Sequence, residues 1–148
     1  MIQDSVDVGH KKYRTGFVCS SFDIIHPGYI LLLKEAKSLC DKVIVGLHSD
    51  PSIERSWKNS PVQSLEERKI VLEAISYVDG IVVYDTEKDL LGLLTTINPD
   101  VRILGTDYKH KESFTGKELN IPVHFHERNH NWSTTNLKKR IIEKGIVG

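Results

Sequence analysis

The 148-residue sequence has only two cysteines, a formal net charge of zero and no long apolar run. Cys19 and Cys40 lie too far apart for a C-x-x-C motif, which disfavours a redox or zinc site built on thiols. Lysine plus arginine balance aspartate plus glutamate at 20 each, so no overall field attracts nucleic acid or an anionic membrane. No stretch has the pattern of a secretory signal or a membrane span. These absences predict a cytoplasmic protein that binds neither nucleic acid nor membrane, and whose anion sites are local.

The apolar pattern that is present divides the chain into alternating strands and helices. Strands are predicted at 15–19, 42–48, 81–84, 101–104 and 123–125, and helices at 27–39, 64–75, 87–97 and 134–144. This alternation predicts an α/β fold, namely a single doubly wound, Rossmann-like domain over residues 15–148 with a five-stranded, mainly parallel sheet. Residues 1–14 are polar and lack periodicity, so we expect an N-terminal extension there.

The stretch from Ser20 to Tyr29 joins the first strand to the first helix. Pro27 suits the first helical position, where its missing N–H costs nothing, and Gly28 lets a ligand or another backbone come close. His26 and Tyr29 are three residues apart and share one side of the first turn. The unpaired N–H groups of a helix N-terminus attract anions, so we expect a phosphate at this turn.

These residues resemble the T-F-D-x-x-H-x-G-H signature of nucleotidyltransferases, which join a phosphorylated alcohol or sugar to CMP or AMP and release pyrophosphate. Further matches follow in the same order along the chain. They are Glu67-Arg68-Lys69, Gly105-Thr106-Asp107-Tyr108, and Arg128 followed by Ser133-Thr134-Thr135. Several motifs in order are more specific than any one of them. The chain therefore resembles the glycerol-3-phosphate cytidylyltransferase-like family, with the heptose-phosphate adenylyltransferases as the next closest group by motif.

The resemblance implies an enzyme that couples CTP to a small phosphorylated alcohol, sugar or amino-alcohol, with Mg²⁺ bound to the nucleotide and pyrophosphate released. It also implies a homodimer that pairs through the apolar helix 27–39. Arg128 lies at the cytidylyltransferase spacing and favours CTP. Residues 49–53 and 99–108 are more similar to the adenylyltransferases, so ATP is the alternative donor. A nucleotide-binding module without catalysis is a third hypothesis.

The site residues follow from the same resemblance. The catalytic candidates are His26, Tyr29, Arg128 and Lys58, with Arg55 as a further basic residue of the loop that contains Lys58. The candidates for nucleotide binding are Ser20, Ser21, Phe22, Asp23, Gly28, Asp50, Arg68, Gly105, Asp107, Tyr108, Ser133, Thr134 and Thr135.

Three positions depart from the family pattern, and all of them lie on the phosphate side. Tyr29 replaces the second histidine of the signature, Ser20 replaces a glycine, and Asn131-Trp132 replaces Gly-Ile. A phenol donates one neutral hydrogen bond and does not become a cation near neutral pH. The chain therefore either works without the second imidazole or has lost catalysis.

Three histidines near the C-terminus permit a second interpretation. His124, His126 and His130 resemble a chelating H-x-H pattern, but a lone H-x-H is weak evidence for zinc. We therefore predict no dedicated metal site on the protein. We expect instead that one of these histidines lines the pocket for the acceptor substrate.

Overall fold

The computed structural model describes residues 11–109 and 114–145, except for the side chain of Asp107. Its strands are β1 (Tyr13–Ser20), β2 (Cys40–His48), β3 (Gly80–Tyr84), β4 (Val101–Gly105) and β5 (Val123–His126). Its α-helices are α1 (Pro27–Leu39), α2 (Leu65–Glu73), α3 (Glu87–Ile97) and α4 (Thr134–Lys144). Short 3₁₀ turns cover Thr106–Tyr108 and Lys117–Leu119.

Local sequence explains where the helices begin. The side chain of Ser64 accepts a hydrogen bond from the Glu67 N–H, and the Glu67 carboxylate accepts one from the Ser64 N–H, which forms a capping box. Thr86 and Asp89 form a second capping box at α3, which the sequence analysis did not identify. Because each box satisfies two otherwise unpaired donors, both helices begin at a defined residue.

The five strands form one parallel sheet in the order β3-β2-β1-β4-β5. The predicted doubly wound fold is confirmed, and the sheet is parallel throughout. The strand order reverses beside β1, which pairs with both β2 and β4. Ligands of such folds bind outside the carboxyl ends of the strands at this switch point.

Two apolar clusters cover the two faces of the sheet. Leu33 and Ala36 of α1 and Leu72 of α2 pack on one face with Val18, Val45 and other strand residues. Leu90 and Leu94 of α3 pack on the other face with Phe17 and Tyr84. Both faces of the central strands are therefore buried, as a parallel sheet requires.

The structure adjusts some predicted boundaries. Tyr13 and Arg14, which were predicted to belong to the extension, lie in β1, because the pairing with β2 begins at Tyr13 opposite Cys40. Residues 1–10 of that extension lie outside the described residues. Helix α2 ends at Glu73 instead of Ile75. In the described ranges, no helix combines the length and apolar character that crossing a bilayer requires.

Arg68 connects α2 to the ends of two strands. Its side chain is among the largest that are fully buried, with the residue 2% exposed. The guanidinium donates to five backbone carbonyls, those of Ser21, His48, Ser49, Gln63 and Ser64. These carbonyls disperse the positive charge that burial would otherwise leave unsolvated. Arg68 therefore fixes the positions at which β1 and β2 leave the sheet.

We predict that Arg68→Met lowers the free energy of unfolding by about 3 kcal/mol, because the substitution leaves buried carbonyls without donors. Urea denaturation followed by circular dichroism measures the change. Arg14→Met, at an exposed position of β1, is the matched control and is expected to change stability by no more than about 0.5 kcal/mol. Equal effects of the two substitutions would contradict the stabilising role of Arg68.

Candidate active site at the switch point

A cavity of about 880 Å³ opens at the carboxyl ends of the strands, around β1 and β4. Most residues that the sequence analysis selected line its wall. They are Ser20, Ser21, His26, Gly28, Tyr29, Lys58, Gly105, Tyr108, Arg128, Ser133, Thr134 and Thr135. The structure thus brings together residues from four separate parts of the chain.

The loop between β1 and α1 adopts an unusual backbone conformation. Phe22 and Ile24 have φ angles of 49° and 53°, in the left-handed region that side chains, and β-branched ones above all, rarely adopt. The Asp23 carboxylate accepts hydrogen bonds from the N–H groups of Val62 and Gln63 at 2.8 and 2.9 Å. The Gln63 side chain accepts one from the Ile24 N–H. These contacts compensate for the backbone strain and hold His26 at the start of α1.

His26 caps α1 and faces the cavity. Its Nδ1 accepts a hydrogen bond of 3.0 Å from the Gly28 N–H, so the neutral ring carries its proton on Nε2. The Tyr29 ring lies beside it, with 4.5 Å between the ring centroids, as the predicted shared side of the turn requires. The arrangement leaves the Nε2–H of His26 as a donor on the cavity side of the ring.

Gly28 is needed for packing between distant parts of the chain. A Cβ atom at Gly28 would lie 2.9 Å from the Trp132 carbonyl oxygen and 3.0 Å from the His130 ring. A close approach by a ligand or a backbone was predicted at Gly28, and the structure shows the backbone of the segment before α4. This approach places Arg128 and residues 130–132 over the first turn of α1.

Burial lowers the pKa of His26 below its ordinary value, and the nearby Arg128 and His130 lower it further. All three causes disfavour the imidazolium form. In the free protein the neutral form of His26 is therefore favoured, and hydrogen-bond donors such as Arg128 lie near its ring. An incoming phosphate would oppose the effect of Arg128 and favour protonation of His26.

The N-terminus of α4 faces the same cavity. Ser133 caps the helix by accepting a hydrogen bond from the Asn136 N–H. The Thr134 hydroxyl donates to the Asp23 carbonyl, which ties α4 to the loop after β1. Two helix N-termini, those of α1 and α4, therefore meet at one cavity.

The loop after β2 supplies basic side chains. Lys58 and Arg55 both line the cavity, and Arg55 forms an ion pair of 3.0 Å with Glu87 at the start of α3. Trp57, between them, is 78% exposed. Lys58 thus differs from Arg55 in having no acidic partner among the described residues.

Four predicted nucleotide-binding residues do not line the cavity. Phe22 is fully buried in the apolar core, and Asp23 is engaged in the loop contacts described above. Asp50 accepts hydrogen bonds from Ser52, which makes it an Asx turn, and Arg68 directs its donors at backbone carbonyls. For these four, the positions in the structure indicate support of the loops around the site. The side chain of Asp107 lies outside the described part of the chain.

The structure also reveals site residues that the sequence analysis missed. Glu35 of α1 binds His124 through Nε2 and His126 through Nδ1, each at 2.5 Å, and the pKa of Glu35 is lowered by these contacts even though burial raises it. His126 lines the cavity, and its place in an acceptor pocket stays a prediction. Arg102 of β4 lines it as well. No motif marks these two residues, because strand pairing places Arg102 at the cavity and helix packing places Glu35 beside His126.

The carboxylates at and near the cavity already have protein partners. Among the described residues of the cavity wall, Glu87 is the one carboxylate, and it already binds Arg55 and the Thr115 hydroxyl. His48, Glu54 and Glu87 place their ligand atoms within 4.8 Å of one another. However, Glu54 accepts a hydrogen bond from the Glu87 N–H, and the His48 Nε2 lies 3.2 Å from the Asp85 carbonyl oxygen. Each of these three groups therefore already has a protein partner.

A family model described as cytidylyltransferase-like matches residues 17–140. The chain belongs to the cytidylyltransferase-like family. The predicted nucleotidyltransferase family is thereby confirmed.

Curated relatives of this family member include the bifunctional protein HldE of Rhodospirillum rubrum, which is 45% identical over 64% of this chain and 19% of the relative. HldE of Caulobacter sp. K31 is 36% identical over 91% of this chain and 28% of the relative. The chain thus spans only 19% to 28% of the length of these relatives.

Solved structures show the same fold. A lipopolysaccharide core biosynthesis protein from Thermoplasma volcanium aligns with a TM-score of 0.63 and 26% identity, over 78% of this chain and 95% of the other. A pantoate-β-alanine ligase from Francisella tularensis aligns with a TM-score of 0.59 and 19% identity, over 87% and 66%. At this identity, the ligase supports the fold alone.

The lowered pKa of His26 predicts a measurable titration. We expect the imidazole of His26, followed by NMR, to titrate below its ordinary pKa of 6.5 in the free protein, and Arg128→Gln to raise that pKa. Because the folded protein then binds this proton less tightly than the unfolded chain, stability is lost as the pH falls through about 6.5. His26→Gln removes this part of the pH dependence. An unchanged His26 pKa in Arg128→Gln would show that Arg128 does not act on the ring.

Proposed function

We propose that this chain transfers a nucleotidyl group from a nucleoside triphosphate to a small phosphorylated acceptor and releases pyrophosphate. The observation that carries the proposal is the meeting of two helix N-termini, those of α1 and α4, with His26 and Arg128 at one cavity. Transfer at a phosphate depends mainly on positioning and on stabilising negative charge. The site offers neutral hydrogen-bond donors, from His26 and the helix N–H groups, and a cationic donor, Arg128.

The positions of the residues in the cavity indicate which phosphate each of them binds. The Nε2–H of His26 donates to an oxygen of the reacting α-phosphate, because Nδ1 is held by the Gly28 N–H. The N–H groups at the start of α4, with the Thr135 side chain, bind the outer phosphates. Arg128 adds a cation that spreads over the triphosphate. Since these groups are already in place, little reorganisation is needed when charge develops.

Mg²⁺ remains part of the prediction as a companion of the triphosphate. In such reactions it neutralises charge on the leaving pyrophosphate. Glu87, the one carboxylate among the described residues of the cavity wall, is engaged by Arg55 and Thr115, so we assign no protein ligand to the ion. Lys58, whose long side chain lines the cavity, is the residue that we expect to move toward the leaving group.

The donor nucleotide is either CTP or ATP. The spacing of Arg128 supports CTP, whereas residues 49–53 and 99–108 support ATP, as does the similarity to the HldE proteins. Tyr108 and Gly105 line the part of the cavity beside β4, where a base or ribose can pack on the phenol ring.

The homodimer and the cytoplasmic location also stay predictions. The homodimer was predicted to pair through α1, and Leu31 is the large apolar side chain of that helix that is exposed in the single chain.

Thermal-shift measurements with CTP, ATP, UTP and GTP in the presence of Mg²⁺ test the proposal directly, because a ligand stabilises only a state that it binds. We expect a saturable rise in the melting temperature that is largest for CTP, and Arg128→Gln is expected to reduce it. A larger shift with ATP would replace the cytidylyl hypothesis by the adenylyl one. No shift with any of the four would refute nucleotide binding.

Tyr29 distinguishes a working enzyme from a binding module. If its hydroxyl contacts the reacting phosphate only in the transition state, Tyr29→Phe lowers kcat by about 10²-fold and leaves nucleotide affinity unchanged. If Lys58 supplies that stabilisation instead, Lys58→Ala causes the loss and Tyr29→Phe does not. Pyrophosphate release across a panel of phosphorylated alcohols and sugars measures both.

Tyr29→His restores the second histidine of the family signature and serves as the matched variant. We expect it to retain or raise activity, because an imidazole can donate a charge-assisted hydrogen bond. If both the wild-type protein and Tyr29→His bind nucleotide but release no pyrophosphate with any acceptor, the binding-module hypothesis replaces the enzyme.

A further inference from the structure

Two arginines are buried in this protein, and their surroundings differ. Arg68 is 2% exposed and Arg102 is 3% exposed. Arg68 donates to five backbone carbonyls and does not line the cavity. Arg102 lines the cavity and has one oxygen acceptor among the described residues, the Thr115 carbonyl bonded to Nη1. Arg68 is therefore satisfied by the fold, whereas Arg102 is not.

The remaining donors of Arg102 lack adequate partners. Its Nη2 lies 3.9 Å from the sulfur of Cys19, and its Nε is buried without a hydrogen-bond partner. Burial raises the pKa of the Cys19 thiol, so the sulfur is neutral and supplies no counter-charge. Within residues 11–109 and 114–145, no described carboxylate forms an ion pair with Arg102.

The guanidinium is held in place by the segment after the 3₁₀ turn at Thr106–Tyr108. The Phe114 ring lies with its centroid 5.3 Å from the guanidinium carbon. Gly116 has a φ of 85°, and a Cβ atom there would lie 2.6 Å from Leu94 and 3.1 Å from the Arg102 Nη1. The protein thus packs closely around Nη1 and encloses Nε, and Arg102 still contributes to the cavity wall.

An unpaired buried cation destabilises the free protein, and proteins normally pair such charges. The planar guanidinium offers several N–H donors in a geometry that fits carboxylate and phosphate oxygens. A bound oxyanion would supply the missing negative charge and an oxygen acceptor for the terminal nitrogen that has only the Cys19 sulfur. Inorganic phosphate is accordingly a suitable probe for the site.

The position of Arg102 in the sheet separates it from the proposed triphosphate site. Arg102 pairs with Phe17, whose side chain packs in the cluster on the α3 face. Helix α1, which contains Gly28 and Tyr29, packs on the opposite face. The N-terminus of α4 is tied to the loop that leads into α1. The anion site at Arg102 is therefore reached from the other side of the strand ends.

We propose that Arg102 binds an oxyanion, phosphate or carboxylate, of the acceptor substrate. The inference rests on the proposed function, which requires a second substrate beside the nucleotide. The acceptor thus lies on the α3 face of the sheet, against Arg102, Thr115 and Phe114. Its anionic group determines which small molecules the enzyme accepts.

The experiment compares wild-type protein with Arg102→Met, Arg102→Lys and the exposed control Arg14→Met. Each protein is first saturated with whichever of CTP and ATP stabilises it more, so that the triphosphate site is filled. Inorganic phosphate is then titrated, and its affinity is obtained from the melting temperature. We expect saturable binding to the wild-type protein and to Arg14→Met, at least about ten-fold weaker binding to Arg102→Met, and an intermediate value for Arg102→Lys.

Two results would overturn the proposal. One is equal phosphate affinity of the wild-type protein and Arg102→Met. The other is a loss of nucleotide affinity in Arg102→Met, which would assign Arg102 to the triphosphate. If Arg102→Met fails to fold, the comparison rests on Arg102→Lys, for which unchanged phosphate affinity would show that the fork geometry of the guanidinium is not used.

A failure of the proposed function gives a different result. If no nucleotide stabilises the wild-type protein, phosphate is titrated into the free protein in an Arg128→Gln background, which weakens the site at α1 and α4. Saturable binding there that disappears in Arg102→Met/Arg128→Gln would retain an anion site at Arg102 without a nucleotidyl donor. Its absence would refute the anion site itself.

Discussion

The site depends on two buried charged groups that bind backbone rather than substrate. The Asp23 carboxylate holds the N–H groups of Val62 and Gln63, and the Arg68 guanidinium holds the carbonyls at the ends of β1 and β2. Between them they fix a loop in which Phe22 and Ile24 have left-handed backbone angles. Without this support, the loop would relax and His26 would lose its position at the start of α1.

Much of the fold was predictable because its signals are local. Caps, prolines and apolar runs mark the helix and strand positions within a few residues, and the alternation of elements determines a doubly wound sheet. The second capping box, at Thr86 and Asp89, has an aspartate where the usual pattern has Glu or Gln, and for that reason it was not identified. No local signal predicted that β4 and β5 pair in parallel, and this expectation rested on the fold class alone.

The candidate site was predictable in part. Residues carried by motifs, such as His26 and Arg128, do line the cavity, but the motifs could not show that Arg68 and Asp23 point at backbone groups. Arg102 and Glu35 were not predicted, because their contacts depend on elements that are distant in sequence. Arg102 lies on a strand that pairs with β1, and Glu35 of α1 contacts His126 of β5. A charge in the middle of an apolar strand, as in Val101-Arg102-Ile103, is the one sequence signal that would have marked Arg102.

The contacts of Asp23 and Arg68 also bear on how the loop between β2 and α2 can vary in evolution. Both ends of that loop are anchored, at Ser49 through Tyr84 and Arg68, and at Val62 and Gln63 through Asp23. Insertions or deletions between these anchors would leave the turn at His26 intact, since the closure entropy of a loop rises only slowly with its length. This loop can therefore diversify for new substrates while the phosphate-binding turn is preserved.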